Sequence, residues 1–410
     1  MSRLLFLSQR IPYPPIKGEK IRYFHIFEHL RRSYDMYLGC LVDDASDIEH
    51  LPTVRARCAD ACFAPLDRRR AKIACLRGLL RGEPLSVTFY RNRRLAGWVP
   101  RVVRDVNPEV IFVCSANMAP YVLDCRDRER PLIVDLVDVD SEKWRAYAAA
   151  AAPAARWVYG REWRRTAELE ARILRESDRS TLVSDSEAAL FAALHPASAD
   201  KIHAVSNGVD HVYFAPGQNM AAPFATTRLN FVFTGTMDYP PNVDAVTWFA
   251  EAILPLVRRS APDAAFHIVG ANPAPRVKAL SARDGVYVTG RVPDVRPYIA
   301  HAAAAVAPLR IARGIQNKVL EAMAMAKPVV VTRDALEGID AVPGAELLVA
   351  DAPAEFADAC LRAASDAGLR IGRAARQRVV RDYAWAERMR GLDPLLRGAV
   401  PHLADMAVIA

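Results

Sequence analysis

Short apolar runs alternate with longer helical segments along most of the chain. In the first half the runs are Leu4 to Ser8, Tyr37 to Val42, Val110 to Cys114, Leu132 to Leu136 and Arg179 to Val183. A helix after the first run is predicted by apolar residues that recur every three positions, namely Ile21, Phe24, Phe27 and Leu30. Because parallel strands must be joined by crossover segments, this alternation predicts a parallel sheet covered by helices.

The same alternation starts again after Leu229. The second set of runs is Asn230 to Thr234, Phe266 to Val269, Val286 to Thr289, Ala304 to Ala307, Pro328 to Thr332 and Leu347 to Val349. Residues 214–228 lie between the two sets, contain two prolines and a glycine, and have no apolar period, which is typical of a linker. A chain of 410 residues also exceeds the roughly 250 to 300 residues at which a single core stops growing, so we predict two α/β domains.

The segment from Arg313 to Thr332, RGIQNKVLEAMAMAKPVVVT, gives the strongest indication of chemistry. Gly314 lets a ligand approach the backbone, and the helix that follows offers free N–H groups to a phosphate. Helical spacing places Asn317 and Lys318 on the same face as Glu321. The pattern indicates a phosphate site, although an ordinary ion pair on an amphipathic helix would explain the same spacing.

Several further motifs occur in order along the chain. They are SQRIPYPPIKGEKIRYFH near the start, DLVDVDSEKW, VSNGVD at Val205 to Asp210, FTGTMDYPPNVDA at Phe233 to Ala245, and TGRVPDVRPYIA at Thr289 to Ala300. With the Arg313 segment, they resemble the glycosyltransferase family 4 proteins of the GT-B fold. Within that family they are most similar to the sugar transferases associated with PEP-CTERM protein-sorting and exopolysaccharide loci.

The resemblance implies a particular domain arrangement. The fold class would be α/β of the GT-B type, with two doubly wound Rossmann-like domains facing a central cleft. Residues 1–213 would form the N-terminal acceptor-side domain, 214–228 the linker, and 229–382 the C-terminal domain that binds a nucleotide-sugar donor. A terminal helix within residues 383–410 would cross back to the first domain.

The resemblance also implies an activity. It is a retaining, hexosyltransferase-type transfer of sugar from a nucleotide-sugar donor to a lipid-linked or polysaccharide acceptor in exopolysaccharide biosynthesis. Two alternatives stay open: a nucleotide-sugar epimerase of the same fold, and a catalytically silent nucleotide-binding partner in an assembly. Because cationic side chains and helix N-termini can neutralise a diphosphate, we expect neither a cofactor nor a metal.

Individual site residues follow from the resemblance. The family glutamate that matches Glu321 holds the ribose hydroxyls of the donor. The predicted catalytic residues are Asp138, Lys318 and Glu321. The predicted donor-binding residues are Gly18, Gly235, Asn242, Arg291, Arg313, Gly314, Ile315, Asn317, Lys318 and Glu321. For Asn242, capping a helix over Val243 to Val257 is an alternative role.

The chain departs from the family pattern around the donor phosphates. The segment after Gly235 lacks the arginine–lysine pair of many relatives, so the cationic role would pass to Lys318, Arg313 or Arg291. Arg313 itself stands where the family motif has its first glutamate. Both departures favour the catalytically silent partner slightly.

A further departure lies in the first loop. Many relatives have a Gly-Gly pair there, whereas only Gly18 is glycine in this chain. Lys17 and Lys20 are candidates to compensate with charge, and a plain turn is the alternative.

Metal binding is not predicted. Asp138-Val139-Asp140 is similar to the D-x-D of a different transferase fold, whose carboxylates hold a divalent ion. In the family resemblance Asp138 instead contacts the sugar or the acceptor, and capping of the next helix by Asp138, Asp140 or Ser141 is a further alternative. The seven cysteines include no C-x-x-C pair, so we expect reduced structural thiols and no zinc.

Charge and hydropathy suggest the partners and location. The net charge of +8 and the pI near 9.2 favour anionic partners, with arginines concentrated in 68–104 and 156–175. Anionic lipid headgroups fit this, and a helix over Arg156 to Glu176 with two tryptophans is compatible with a membrane surface, or with plain exposure to solvent. No nucleic-acid-binding motif is recognisable.

No apolar run approaches the roughly 20 residues that cross a bilayer, so we expect a cytoplasmic protein, with peripheral contact to the inner face of the cytoplasmic membrane as a hypothesis.

Overall fold

The computed structural model describes residues 2–15, 18–79, 82–126, 130–225, 229–312 and 314–399. The chain folds as two compact units. The first comprises residues 1–206 and the segment that begins at Met389, and the second comprises residues 207–388. Each unit contains one sheet with helices between its strands.

The first unit is built on a parallel sheet. Its strands are β1 (Ser2–Ser8), β2 (Tyr34–Val42), β3 (Asp60–Pro65), β4 (Val110–Cys114), β5 (Leu132–Val137), β6 (Arg179–Leu182) and β7 (Ile202–Ala204). They pair in parallel in the order β3-β2-β1-β4-β5-β6-β7. The helices between them are α1 (Gly18–Leu30), α2 (Leu51–Arg55), α3 (Arg68–Gly78), α4 (Leu85–Phe89), α5 (Arg93–Arg101), α6 (Pro120–Leu123), α7 (Asp140–Ala150), α8 (Pro153–Glu176) and α9 (Asp185–Leu194).

Two strands of this sheet are absent from the sequence prediction, and both lie at its edges. β3 and β7 each pair with one neighbour only, so neither needs the continuous apolar run of a central strand.

Cys62 lies buried within β3, and all seven cysteines are free thiols. Across the described part of the chain, no group of histidine, cysteine and carboxylate side chains is arranged to hold a metal ion.

A buried ion pair fixes the centre of the first unit. The Arg22 guanidinium donates to both carboxylate oxygens of Asp135, from Nε at 2.8 Å and from Nη2 at 2.7 Å, and both side chains are fully buried. Arg22 Nη1 also donates to the carbonyl of Val205 at 2.7 Å, and Thr181 Oγ1 donates to Asp135 at 2.7 Å. The pair therefore connects α1 to β5, to β6 and to Val205 after β7, through hydrogen bonds from the guanidinium and to the carboxylate.

The second unit repeats the plan. Its strands are β8 (Asn230–Thr234), β9 (Ala265–Val269), β10 (Val286–Gly290), β11 (Ala304–Ala307), β12 (Val329–Val331) and β13 (Leu348–Val349), which pair in parallel in the order β10-β9-β8-β11-β12-β13. Its helices are α10 (Pro240–Trp248), α11 (Leu254–Ser260), α12 (Pro275–Ala279), α13 (Arg296–His301), α14 (Asn317–Ala324), α15 (Arg333–Leu336), α16 (Pro353–Ala363), α17 (Asp366–Asp382) and α18 (Trp385–Met389). The predicted helix over Val243 to Val257 is interrupted by a π-helical turn at Phe249–Ile253. Pro255 in the first turn of α11 lacks the N–H that a continuous helix would need there.

The boundaries between the units differ from the predicted linker. The chain joins the second unit at Asn207, because Val209 forms a bridge to Ala384 and Gly208 lies where a Cβ would come within 2.7 Å of Trp385 Cα. Tyr383 is buried in the same unit, where its hydroxyl accepts a hydrogen bond from Asp340 N at 2.6 Å. The chain returns to the first unit only at Met389 and continues into α19 (Leu392–Ala399), whose Asp393 lies 2.7 Å from His29 Nε2.

No helix among the described residues is both long enough and apolar enough to pass through a bilayer.

Replacing Asp135 by alanine should lower the free energy of unfolding of the first unit by about 3–5 kcal/mol, because Arg22 would remain buried without its counter-charge. Urea denaturation followed by circular dichroism measures the change. The double variant Arg22→Met/Asp135→Leu should recover most of the loss, since it removes both charges and keeps the apolar volume. An equal loss in the single and double variants would contradict this account of the pair.

Candidate functional site

A cavity of about 540 Å³ lies at the carboxyl ends of the strands in the second unit. β8 pairs with both β9 and β11, so the strand order reverses beside it, and a parallel sheet commonly binds its ligand at such a point. The cavity is lined by Phe214, Thr234, Gly235, Thr236, Asn242, Val269, Gly270, Ala271, Arg291, Val292, Val295, Ile315, Gln316, Asn317, Lys318 and Glu321.

Bare backbone forms part of the wall of this cavity. Gly235 follows β8 and Gly270 follows β9, and a Cβ on Gly270 would lie 1.6 Å from the Gly235 carbonyl oxygen. A Cβ on Gly235 would lie 2.8 Å from Asn242 Nδ2. Neither position has room for a side chain, so a ligand in the cavity can approach the main chain closely.

Lys318 supplies a cation in the first turn of α14. Its Nζ donates to Asn242 Oδ1 at 2.9 Å and lies 4.8 Å from the centre of the Phe233 ring. Burial lowers the pKa of Lys318 to about 8, against the opposing effect of the Glu321 carboxylate. No side chain caps the N-terminus of α14, so the N–H groups of its first turn remain available to a ligand.

Asn242 holds this cation in place. The residue is buried in the first turn of α10, where its Nδ2 donates to the carbonyl of Thr236 at 2.9 Å while its Oδ1 accepts from Lys318. The N-cap of α10 is Tyr239, so the interpretation of Asn242 as a helix cap is wrong. The prolines at 240 and 241 explain the shift, because proline suits the first positions of a helix and starts α10 earlier.

Glu321 presents a carboxylate with unused acceptors. The side chain is half-buried in the cavity lining and accepts no hydrogen bond from the residues that the structure describes. Burial raises its pKa to about 7, and the nearby Lys318 charge opposes that rise. A carboxylate in this state can accept hydrogen bonds from ligand hydroxyls.

The other predicted donor-site residues of this unit divide into three groups. Ile315 and Asn317 line the cavity beside Lys318. Arg291 lies exposed at its rim and has no ion pair with any described residue. Gly314 has a φ of 65° but does not line the cavity, and Arg313 lies outside the described residues.

The predicted residues Gly18 and Asp138 belong to the first unit. Gly18 is the first residue of α1. Lys20 is buried in an ion pair with Asp47 at 2.7 Å, so the expectation that it compensates a phosphate charge is wrong, while Lys17 lies outside the described residues. Lys20 lies on the buried face of α1, so its ammonium is inside the protein, where a carboxylate partner is needed to offset the cost of burying the charge.

Asp138 and Asp140 share a lysine. Lys143 Nζ donates to Asp138 at 2.7 Å and to Asp140 at 3.2 Å. Burial works against the Lys143 charge, but the two carboxylates raise its pKa above the ordinary value. Val139 occupies the N-cap of α7 without a side-chain cap, so helix capping by Asp138 is also wrong.

Several cavity residues escaped the sequence prediction. Phe214 fell within the predicted linker, yet it lines the cavity, and Arg376 Nη1 donates to its carbonyl at 3.3 Å. Val292 and Val295 follow β10 in a segment from which the sequence predicts only Arg291 as a site residue. Gly270 directly follows a predicted strand, and that position alone could have indicated it.

Glu321→Gln should raise the melting temperature of the unliganded protein at pH 8 and leave it nearly unchanged at pH 4. Because folding raises the pKa of Glu321 from 4.5 to about 7, its contribution to stability is complete below pH 4.5 and is lost as the pH rises through 7. Glutamine mimics the protonated carboxyl at every pH. Differential scanning fluorimetry measures both temperatures, with the exposed Glu355→Gln as the control, and equal shifts at the two pH values would refute the assignment.

Part of the chain is similar in sequence to a known protein family. Residues 228–366 match the family described as Glycosyl transferases group 1. None of the curated protein sequences compared with the chain matches it.

Solved structures match over both units. Sucrose-phosphate synthase from Thermosynechococcus elongatus is similar over 97% of this chain and 99% of its own, with a TM-score of 0.67 and 16% identity. The structure of Anabaena HepE in complex with UDP and glucose is similar over 97% of this chain and 99% of its own, with a TM-score of 0.64 and 12% identity. The α,α-trehalose 6-phosphate synthase of Burkholderia multivorans is similar over 100% of this chain and 99% of its own, with a TM-score of 0.63 and 14% identity. The chain thus has the two-sheet α/β fold of the GT-B glycosyltransferases, and its residues 228–366 are similar to the group 1 family.

Proposed function

We propose that the protein is a retaining glycosyltransferase of the family 4 type that uses a nucleotide-sugar donor. Its acceptor is a lipid-linked or polysaccharide hydroxyl in exopolysaccharide biosynthesis of the PEP-CTERM-associated kind. The observation that carries the proposal is the pairing of Lys318 and Glu321 on the first turns of α14, inside a cavity walled by bare glycine backbone. The group 1 family match covers every lining residue of this cavity except Phe214, and a structural neighbour was solved in complex with UDP.

The donor would use the two ends of this arrangement differently. Ribose hydroxyls donate to Glu321, whose acceptors have no partner among the described residues. The diphosphate accepts hydrogen bonds from Lys318 Nζ and from the first N–H groups of α14, with Arg291 adding charge at the rim. A pKa of about 8 keeps Lys318 largely cationic at neutral pH, and a bound diphosphate favours that charged form further.

The transfer step needs little covalent chemistry from the protein. The bond between the anomeric carbon and the diphosphate oxygen breaks. The acceptor oxygen forms a bond to the same carbon, on the face of the sugar from which the diphosphate leaves. The acceptor proton passes to the departing diphosphate. Lys318 stabilises the charge that grows on this leaving group, so we assign no step to a divalent metal. We place Asp138 at the acceptor hydroxyl, with its carboxylate oriented by Lys143.

A catalytically silent nucleotide-binding protein is the second candidate, because Arg313 replaces the first glutamate of the family motif. Incubating the protein with donor alone separates the candidates. Slow hydrolysis of the sugar nucleotide supports a transferase, interconversion of the free sugar nucleotide indicates an epimerase, and binding without either reaction indicates the silent protein.

A thermal-shift screen of sugar nucleotides, starting with UDP-sugars, tests the proposal directly. A ligand at 100 times its dissociation constant should stabilise the protein by about 2.7 kcal/mol. If no nucleotide or sugar nucleotide raises the melting temperature, the proposed function is wrong.

Glu321→Gln should weaken binding of the nucleotide found in that screen by about 1.5 to 3 kcal/mol, the usual size of a hydrogen bond to a charged group. Isothermal titration calorimetry measures the affinity, and the exposed Glu355→Gln serves as the matched control. Unchanged affinity in a folded Glu321→Gln protein would remove Glu321 from the donor site.

Lys318→Ala should reduce turnover by about 100-fold or more, because it removes a preorganised charge that strengthens as the diphosphate leaves. Lys318→Arg should restore only part of the loss, since a planar guanidinium cannot take the same position as the ammonium beside Asn242. Steady-state kinetics of both variants, with the exposed Lys278→Ala as the control, decides the point. Near-parental turnover in Lys318→Ala would move the role to Arg291 or Arg313.

A further inference from the structure

Helix α3 of the first unit has an outward face that combines aliphatic and cationic side chains. Ile73 is 59% exposed and Leu76 is 68% exposed, the largest exposed aliphatic pair on any one helix turn of this unit. Ala71 and Gly78 face inward and are buried. We propose that the exposed face of α3, defined by Arg69, Lys72, Ile73 and Leu76, docks onto the surface of an anionic lipid bilayer.

Helical geometry brings these four side chains together. Ile73 and Leu76 are three residues apart, Arg69 lies four before Ile73, and Lys72 lies four before Leu76. Residues at these spacings are neighbours on one helix face. The aliphatic pair is therefore directly flanked by cations, and the face can insert its apolar tips while the cations stay among headgroups.

The charges of this face are not neutralised within the protein. Asp67 accepts hydrogen bonds from the backbone N–H groups of Arg69 and Arg70, at 2.9 and 3.2 Å, and so caps the helix. Arg68 and Arg70, which are not part of the face, pair with the carboxylates of Asp43 and Asp67 at 3.7 and 3.3 Å. Arg69 and Lys72 form no ion pair with any described residue. A surface of this kind is complementary to an anionic partner.

The aliphatic side chains decide which anionic partner fits. Nucleic acids bind to cationic surfaces through phosphate contacts and through stacking of bases on aromatic side chains, and α3 contains no aromatic residue. Ile73 and Leu76 gain free energy only by leaving water for an apolar phase. Lipid acyl chains beneath anionic headgroups offer both the charge and the apolar phase.

The structure places this surface on α3 rather than on α8, where the sequence had suggested it. Trp157 of α8 is 61% exposed, but no second large apolar side chain is exposed beside it among the described residues of that helix. Three of the six arginines of α8 also pair with neighbouring carboxylates: Arg161 with Glu162, Arg165 with Glu168, and Arg172 with Glu176. Paired charges leave little net attraction for a lipid surface. The α3 face keeps its cations free beside its apolar residues.

Vesicle co-sedimentation of the full chain tests the proposal without any sugar nucleotide, so its outcome is separate from that of the transferase proposal. The parent protein should bind vesicles of phosphatidylcholine and phosphatidylglycerol, and bind pure phosphatidylcholine vesicles far less. Ile73→Ser/Leu76→Ser should weaken binding to the anionic vesicles by about tenfold or more. Arg69→Glu/Lys72→Glu should weaken it by at least a similar factor, at roughly fivefold for each cation removed.

Two control variants match these changes elsewhere on the chain. Leu190→Ser/Leu194→Ser removes two exposed leucines from α9, and Arg370→Glu/Arg373→Glu reverses two exposed cations of α17 at the same spacing as Arg69 and Lys72. Both should bind anionic vesicles like the parent. Because all four changes lie on the surface, circular dichroism should show the same folded content in every variant.

Other results would overturn the proposal. One is failure of the parent to bind the anionic vesicles, and another is an equal loss of binding in the matched controls. A concentration-dependent dimer in analytical ultracentrifugation that Ile73→Ser/Leu76→Ser abolishes, with vesicle binding retained, would assign the face to a second copy of the chain. Tighter binding to polyuridine RNA than to vesicles, lost in Arg69→Glu/Lys72→Glu but retained in Ile73→Ser/Leu76→Ser, would assign the face to nucleic acid.

Discussion

In both sheets each strand lies parallel to its neighbours, so a crossover segment must follow each strand before the next can pair. The carboxyl ends of all strands then meet at one edge of each sheet, and the loops that leave them form a common surface. In the second unit the strand order reverses beside β8, which opens a cavity between the loops after β8, β9 and β10 and the start of α14. The position of the site follows from that pairing constraint.

The two units differ in how fully their buried charged groups are hydrogen-bonded. In the first, Arg22 and Asp135 are fully buried and surrounded by hydrogen-bond partners, so the pair fixes the arrangement of α1 and the sheet. In the second, Lys318 has a lowered pKa and Glu321 a raised one, because protein surrounds them without supplying a full set of partners. The Lys318 ammonium and the Glu321 carboxylate therefore keep hydrogen-bonding capacity that a ligand could use.

Asn242 shows how the fold prepares that site. Its amide joins the Thr236 carbonyl to Lys318, so the loop after β8 and the first turn of α14 are held in register by one side chain. Gly235 has no Cβ, which leaves the room that the Asn242 amide needs. The segment from Thr236 to Asn242 contains no cation of its own, and its polar link through Asn242 positions the ammonium of Lys318.

The two sheets and their central strands could be predicted from the sequence, because buried parallel strands need continuous apolar runs that stand out from their surroundings. The sequence also predicts that Lys318 and Glu321 share a helix face, since that depends on local spacing alone. Four features became visible only in the folded chain. They are the edge strands β3 and β7, the burial of Lys20 against Asp47, the lysine that joins Asp138 to Asp140, and the presence of Phe214 in the cavity. Each of these depends on contacts between residues far apart in the chain or on where a side chain turns at the end of an element, and neither is encoded in the period of a short segment.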